Sequence, residues 1–112
     1  MFNLITRLKK KNYKVSALSN SAKEWFDFKR QKFDLDKYFD VIVASGYVGV
    51  AKPDPEIYKI ILNKLNVKAE ECLFIDNKEK CLSPARKIGV KTILFTNQTE
   101  LERKLLDINI CF

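Results

Sequence analysis

Short apolar runs alternate with helix-like patterns along this chain, and that alternation limits the folds open to it. Residues 41–43 and 72–75 are apolar without polar alternation, which is typical of parallel strands covered on both faces. Between them, the apolar residues of 55–65 are spaced three and four apart, as in a helix with one buried face. Strands that alternate with helices predict an α/β fold with a parallel sheet and right-handed crossovers.

Local signals place the remaining elements. Apolar spacing predicts a helix over residues 2–11, and apolar runs predict strands over 13–18 and 91–95. The apolar stretch 108–112 is predicted to form a short terminal strand. Helix starts are predicted at three pairs of capping residues, which are Ser21 with Glu24, Ser83 with Pro84, and Thr99 with Glu102.

An aromatic group follows the predicted strand over 13–18. It consists of Trp25, Phe26, Phe28 and Phe33, at partly helical spacing. We expect these side chains to pack against the core or a neighbouring layer, because aromatic residues at such spacing are more often core than part of a cofactor site.

The loop that contains Lys52 is predicted to be stiff. Asp54 suits the N-cap of the helix over 55–65, and Pro55 suits its first turn because proline has no N–H to lose there. Pro53 favours an extended backbone at Lys52. The ammonium group of Lys52 would then be a fixed positive charge for an anion, whereas spacing alone favours an ordinary surface lysine.

Three polar residues follow different predicted strands. Ser19, Lys52 and Asp76 all fall at or just after strand ends. The carboxyl ends of parallel strands meet at one edge of a sheet, and that edge is where ligands bind in such folds. We therefore expect these residues to share one rim.

Length and composition indicate a single globular domain over residues 1–112, because 112 residues suffice for one core and 46% of them are hydrophobic. Cys72, Cys81 and Cys111 have neither paired nor metal-ligand spacing, and the chain has no histidine. Zinc is therefore not expected. The cysteines fit a reducing, cytoplasmic compartment, and without histidine any proton transfer would fall to carboxylates and lysines.

Charge patterns argue against export, membrane insertion and nucleic-acid binding. The lysines at 9–11 follow the apolar residues of 2–8, which reverses the order of a signal peptide, and no apolar run is long enough to span a membrane. The formal net charge is +7. The lysines are scattered without a recognition motif, so we favour a solvated surface over a nucleic-acid groove.

Three passages of this chain resemble the haloacid dehalogenase-like (HAD) hydrolase superfamily. They are VSALSN at 15–20, GVAKPDP at 49–55, and CLFIDN at 72–77 continuing to ARKIG at 85–89. Their order and spacing are similar to the second, third and fourth motifs of the family, and the resemblance covers nearly the whole chain. It implies a Rossmann-like three-layer sandwich with a mostly parallel sheet.

The resemblance also implies roles for individual residues. Ser19 would hydrogen-bond the transferred phosphoryl group, with Asn20 beside it, and Lys52 would neutralise charge on the phosphate and the nucleophile. A hydroxyl and an ammonium group at such a rim suit an anion. Asp76 and Asn77 occupy the positions of the motif that holds Mg²⁺, so the family cofactor is the expected metal.

Two departures from the family pattern weaken catalysis. No Asp-x-Asp motif follows a strand near the N-terminus, so the chain is expected to lack the nucleophile strand and the cap. Asn77 stands where a second aspartate is the usual metal ligand, and Cys81 stands where Asp or Asn is usual. Asp76 with the neutral Asn77 predicts only a weak magnesium site.

Two functional hypotheses remain open. The first is a fragment or degenerate homologue of a phosphatase- or dehalogenase-type hydrolase, inactive alone because covalent phosphoryl transfer needs a positioned nucleophile. The second is a non-catalytic module that binds phosphate or protein. The expected partners are a small phosphorylated or anionic molecule and, for the sheet, a second copy or a complementing chain that supplies a strand.

The resemblance places the absent nucleophile strand between the strands over 13–18 and 72–75. Unpaired backbone groups along such strands are costly, so we expect something to close the gap. The candidates are direct pairing of the two strands, insertion of the tail 108–112, or a strand from another chain. We favour direct pairing or association, because Asn109 suits an edge better than a sheet centre.

Overall fold

A computed structural model describes residues 2–112 of the chain. The helices are α1 (Phe2–Lys10), α2 (Lys23–Lys32), α3 (Ser45–Val48), α4 (Pro55–Leu65), α5 (Glu79–Lys87) and α6 (Gln98–Asp107). The strands are β1 (Ser16–Ser19), β2 (Val41–Ala44), β3 (Leu73–Asp76) and β4 (Lys91–Leu94). In the part of the chain that is described, no helix combines the length and the apolar composition needed to cross a membrane.

The strands form two parallel pairs. In the first pair Ser16 of β1 lies opposite Val41 of β2, and in the second Leu73 of β3 lies opposite Lys91 of β4. Parallel pairing confirms the predicted sheet type. No ladder joins β1 to β3 within residues 2–112, so direct pairing of these two strands, one of the two favoured alternatives, is wrong, and association with another chain stays a prediction.

Two apolar clusters cover the two faces of the strands. One cluster is formed mainly by α4, α5 and β2, through the buried residues Val43, Ile57, Tyr58, Ala85 and Val90. The other is formed by α1, α6 and β4, through Leu4, Ile93, Leu101 and Leu105. Phe74 packs on the first cluster, whereas Leu73 and Ile75 pack on the second. Alternate residues of a strand point to opposite faces, so the molecule is a three-layer α/β sandwich.

The first cluster extends across both strand pairs. Leu18 of β1 and Phe74 of β3 both pack against this cluster. The second cluster is also shared, since α1 precedes β1 in the chain but packs with β4 and α6. The helical layers therefore hold the two strand pairs side by side without a β1–β3 ladder.

The predicted boundaries of α4 are confirmed. The side chain of Asp54 accepts a hydrogen bond from the Glu56 backbone N–H at 3.0 Å, and Pro55 occupies the first turn. Asn66 ends the helix in the left-handed conformation, with φ +56°. This is the usual way in which an asparagine closes a helix.

The other predicted helix starts are wrong. Helix α2 begins after Ala22, with no side-chain cap from Ser21. Helix α5 begins at Glu79 and contains Pro84, because burial of Leu82 and Ala85 in the core outweighs the local cost of the proline. Helix α6 is capped by Asn97 rather than Thr99, since the Asn97 side chain accepts the Glu100 backbone N–H at 2.9 Å.

The aromatic group in and just after α2 is largely at the surface. Phe26 is buried and meets the ring of Tyr47 edge to face at a centroid distance of 6.0 Å. Trp25 is 60% exposed and stacks on Phe28 at 5.4 Å, and Phe33 is also exposed. The expectation that these side chains pack against the core or a neighbouring layer holds for Phe26 and is wrong for the other three, which lie exposed at the surface.

The C-terminal residues 108–112 do not form a strand, contrary to expectation. Ile108 ends α6, Asn109 has a φ of +64°, and the Ile110 N–H donates to the Leu105 carbonyl at 2.8 Å. This turn directs the tail back over the second cluster, where Ile110 and Phe112 are partly buried. The backbone N–H groups at the start of this segment are bonded to carbonyls at the end of α6, and not to a neighbouring strand.

Candidate functional site

The loop that carries Lys52 is fixed by Asn20, which follows β1. The Asn20 side chain donates through Nδ2 to the Lys52 carbonyl at 2.9 Å and accepts the Lys52 N–H through Oδ1 at 2.8 Å. One amide thus satisfies both backbone groups of Lys52. The stiffness expected of this loop comes from a contact between two elements as well as from the neighbouring proline.

The ammonium group of Lys52 points to Asp76 at the end of β3. Lys52 Nζ lies 2.9 Å from Asp76 Oδ2, with the two side chains 14% and 8% exposed. Nζ also lies 5.8 Å from the centroid of the Phe74 ring. Of the three residues expected to share a rim, Lys52 and Asp76 are in contact, and Ser19 is connected to them through its neighbour Asn20, which holds the Lys52 backbone.

The hydroxyl of Ser19 has a partner that the sequence did not indicate. Ser19 Oγ lies 2.7 Å from Ser21 Oγ, and Lys29 Nζ of α2 donates to Ser21 Oγ at 3.0 Å. Ser21 is only 8% exposed, so its hydroxyl is a buried polar group. The capping role expected for Ser21 is replaced by this side-chain network.

The backbone of Ser21 is held by the start of α3. Its N–H donates to Ser45 Oγ at 3.0 Å, and its carbonyl accepts from the Gly46 N–H at 2.9 Å and from Ser45 Oγ at 3.2 Å. A Cβ at Gly46 would lie 2.4 Å from the Lys23 backbone nitrogen. The close approach therefore requires glycine at this position.

The residues of this chain do not fit a magnesium ion by themselves. Asp76 Oδ1 accepts the Lys78 N–H at 3.0 Å, and Oδ2 faces the Lys52 ammonium. Asn77 is exposed, and Cys81 is buried in the core. Residues 2–112 contain no group of three or more acidic, histidine or cysteine side chains suited to a metal. A single carboxylate beside a positive charge is a poor ligand set for a hard divalent cation.

Asp34 and Asp36 have the Asp-x-Asp spacing but not its expected setting. They lie at and within the 3₁₀ turn Leu35–Lys37, after a helix rather than a strand. Arg30 Nη2 lies 2.7 Å from Asp36 Oδ1, and this hydrogen bond lowers the pKa of the Asp36 carboxyl. The Arg30–Asp36 ion pair is exposed, and neither Asp34 nor Asp36 supplies a nucleophile to the rim.

Tyr58 lies in the core close to the rim. Its hydroxyl donates to the Cys81 carbonyl at 2.5 Å, and its ring meets Phe74 edge to face at 5.4 Å. Burial, followed by the nearby Cys81 and Asp76 groups, raises the pKa of Tyr58 to about 12. Tyr58 therefore stays neutral at physiological pH, and its ring packs against Phe74, whose own ring faces the Lys52 ammonium group.

Comparison with known sequences identifies a family. A family model described as haloacid dehalogenase-like hydrolase matches residues 1–89. The chain is 34% identical to bifunctional epoxide hydrolase 2 of Sus scrofa, over 94% of this chain and 20% of that protein. It is also 34% identical to glyceraldehyde 3-phosphate phosphatase of Pyrococcus furiosus, over 81% of this chain and 38% of that protein. The chain thus spans between about a fifth and two fifths of these relatives.

Solved structures agree with this result. A predicted HAD-like family hydrolase from Porphyromonas gingivalis superposes with a TM-score of 0.83 and 26% identity, over 96% of this chain and 55% of that one. A HAD family enzyme from Bacteroides thetaiotaomicron, in complex with magnesium and inorganic phosphate, superposes with a TM-score of 0.79 and 26% identity, over 88% of this chain and 54% of that one. The fold, the motif-bearing segments and the family model lead to one conclusion: the chain belongs to the haloacid dehalogenase-like hydrolases.

Proposed function

We propose that this chain forms the oxyanion-binding rim of a HAD-like hydrolase core and does not hydrolyse phosphate esters alone. The observation that carries the proposal is the linkage of Asn20, Lys52 and Asp76, three residues from separate segments. A fixed ammonium group at the carboxyl ends of parallel strands is suited to an anion. Ser19 would add a hydroxyl donor at the same rim.

The substrate class that suits this rim is a small phosphorylated or otherwise anionic molecule. A hydroxyl and an ammonium group recognise oxyanions by hydrogen bonding and charge. Two similar proteins support this assignment: one is named for a phosphorylated triose, and another was solved with inorganic phosphate. The site residues of the proposal are Ser19, Asn20 and Lys52 for phosphate, with Asp76 as the carboxylate partner of the lysine.

The nucleophile would come from a strand placed between β1 and β3. These strands do not pair with each other, yet the chain superposes on complete HAD structures with TM-scores of about 0.8 over most of its length. Such agreement supports a spacing of the two strand pairs that is close to the family's. The nucleophile strand of the resemblance would occupy this space, supplied by another chain or segment.

A non-catalytic phosphate-binding or interaction module is the second candidate. It is favoured by the way in which Asp76 is already satisfied, because Lys52 and the Lys78 N–H take one oxygen each. Because both Asp76 oxygens already have partners, no metal ion is needed to satisfy this carboxylate. In this version the unpaired edges of β1 and β3 would bind a partner strand without catalysis.

Phosphate titration followed by NMR tests the proposed rim. We expect inorganic phosphate to shift the backbone signals of Ser19, Asn20 and Lys52, and Ser19→Ala and Lys52→Met to weaken binding at least severalfold. Lys64→Met is the control, because Lys64 is exposed near the opposite end of α4. Equal affinities in wild type and Lys52→Met would reject the rim.

Turnover of a generic phosphate ester with Mg²⁺ tests the second half of the proposal. We expect no release of phosphate by the chain alone, because a positioned nucleophile is needed. Turnover that survives both Asp76→Ala and Lys52→Ala would identify a contaminant. Turnover abolished by both substitutions would contradict the proposal and assign the nucleophile to a carboxylate of this chain.

A further inference from the structure

The network behind Ser19 contains a second lysine that the family motifs do not include. We propose that Lys29, acting through Ser21, is a positioning residue that fixes the Ser19 hydroxyl as a hydrogen-bond donor to the bound oxyanion. This inference rests on the proposed oxyanion rim. Its structural basis is the line of three polar atoms, Lys29 Nζ, Ser21 Oγ and Ser19 Oγ, joined at 3.0 and 2.7 Å.

The direction of the first hydrogen bond is fixed by chemistry, and that of the second is favoured by burial. An ammonium group only donates, so Ser21 Oγ accepts from Lys29. At 2.7 Å either hydroxyl of the Ser19–Ser21 pair can donate. Among residues 2–112 the proton of the buried Ser21 hydroxyl has no acceptor other than Ser19 Oγ, whereas Ser19 is half-buried and can donate to a ligand, so donation from Ser21 to Ser19 leaves the buried hydroxyl satisfied. Once Ser19 accepts from Ser21, the Ser19 proton is free to point away from Ser21. A donor is thereby presented to a ligand at the end of β1.

The charge of Lys29 explains why the relay matters at this rim. Lys52 is ion-paired with Asp76 at 2.9 Å, whereas Lys29 forms no ion pair with a carboxylate among residues 2–112. Lys29 is therefore a positive charge next to Ser21 that no carboxylate of the described residues contacts. A charged donor at the start of a hydrogen-bond chain strengthens the bonds that follow it.

The surroundings of Ser21 keep the relay in place. The residue is 8% exposed, so water competes little for its hydroxyl. Its backbone N–H and carbonyl are held by Ser45 and Gly46. These contacts do not use the Ser21 side chain, so Ser21→Ala removes the relay while leaving the backbone bonds.

The first test needs no ligand. The ¹⁵N and ¹H signals of the Lys29 ammonium group are compared in wild type, Ser21→Ala and Ser19→Ala. We expect Ser21→Ala to move or broaden the signal, and Ser19→Ala to shift it although Ser19 does not touch Lys29. Thr6→Ala on α1 is the control and should leave the signal unchanged. An identical Lys29 signal in wild type and Ser21→Ala would overturn the relay.

The second test measures affinity for inorganic phosphate. We expect Lys29→Met and Ser21→Ala each to weaken binding about fivefold, consistent with loss of one charge-assisted hydrogen bond. The double variant should bind no more weakly than either single variant, because both act through one chain. Lys29→Arg should restore most of the affinity, and Lys32→Met, at the end of α2, should have no effect.

The outcomes separate the relay from the rim. Lost affinity in Ser19→Ala with full affinity in Lys29→Met and Ser21→Ala keeps the rim and rejects the relay. Additive losses in the double variant also reject it, because independent effects do not run through one chain. If wild type binds no phosphate, the proposed function fails, and the ammonium signals alone decide whether Lys29 orders Ser19.

Discussion

Lys52 and Asp76 form an ion pair of 2.9 Å that connects the two strand pairs of the sheet, with Lys52 following β2 and Asp76 ending β3. Both side chains are largely withdrawn from water, and no backbone ladder joins β1 to β3 in residues 2–112. The pair is thus a polar tie across the place where the sheet is discontinuous. Its removal should affect stability as well as ligand binding.

Removing one partner of this pair should be strongly destabilising. Lys52→Met or Asp76→Leu leaves a buried unpaired charge, and we expect a loss of about 3–5 kcal/mol in the free energy of unfolding. The double variant Lys52→Met/Asp76→Leu should lose less than the sum of the single losses. Urea denaturation measures the three values, with Lys59→Met as control, because the Lys59–Glu56 pair is exposed. Additive losses in the double variant would contradict a coupled pair.

The buried phenol of Tyr58 should make stability fall at high pH. Its pKa is raised from 10.0 to about 12 in the folded chain. The unfolded state therefore releases the phenol proton first, and the contribution of Tyr58 is present below about pH 10 and lost as pH rises towards 12. We expect wild type to lose more stability over this range than Tyr58→Phe, in which the lysine titrations are the same. Parallel stability curves would contradict this assignment.

Gly46 should be far less tolerant of substitution than Gly49. A methyl group at Gly46 would lie 2.4 Å from the Lys23 nitrogen and 2.8 Å from the Ser21 carbonyl oxygen, whereas the space around Gly49 is open. We expect Gly46→Asn to cost at least about 1–3 kcal/mol. Gly49→Asn should cost less, because asparagine tolerates the φ of +80° at that position. Thermal unfolding of both variants measures the difference, and equal midpoints would contradict the close packing at Gly46.

The unpaired edges of β1 and β3 should be visible in amide exchange. We expect N–H groups that face the space between the two strands to exchange faster than those bonded to β2 or β4, because no partner protects them. We also expect the isolated chain to be a dimer or only marginally stable. Exchange followed by NMR, together with the mass in solution from light scattering, checks both statements. A stable monomer with slow exchange along both strands would rule out association through these edges.

The sequence was sufficient for features that depend on local chemistry or on strand order. The apolar run around Val43 predicted a strand, and Asp54 with Pro55 predicted the start of α4. The sequence predicted one rim for Ser19, Lys52 and Asp76 because parallel strands end at one edge, and the structure brings Lys52 and Asp76 into contact. These predictions needed only periodicity, capping chemistry and topology.

The parts that failed depend on contacts between residues far apart in the chain. Ser21 has good capping chemistry, but Ser45, 24 residues away, holds its backbone and Lys29 holds its hydroxyl. Pro84 looked like a helix start, but the core draws Leu82 and Ala85 into one continuous helix. The turn at Asn109 directs the tail away from strand pairing. In each case tertiary packing overrides a sound local preference.

The position of α1 has a consequence for the order in which the molecule assembles. Leu4 packs with Leu101 and Leu105, and Arg7 reaches the Phe112 carbonyl, 105 residues along the chain. Bringing such distant segments together costs more chain entropy than any other contact of the fold. Helix α1 should therefore join the molecule late in folding, after the segments that surround α4 and α5 have condensed. In the native state, we expect the detachment of α1 to be the first large opening on the side of the sheet that the second cluster covers.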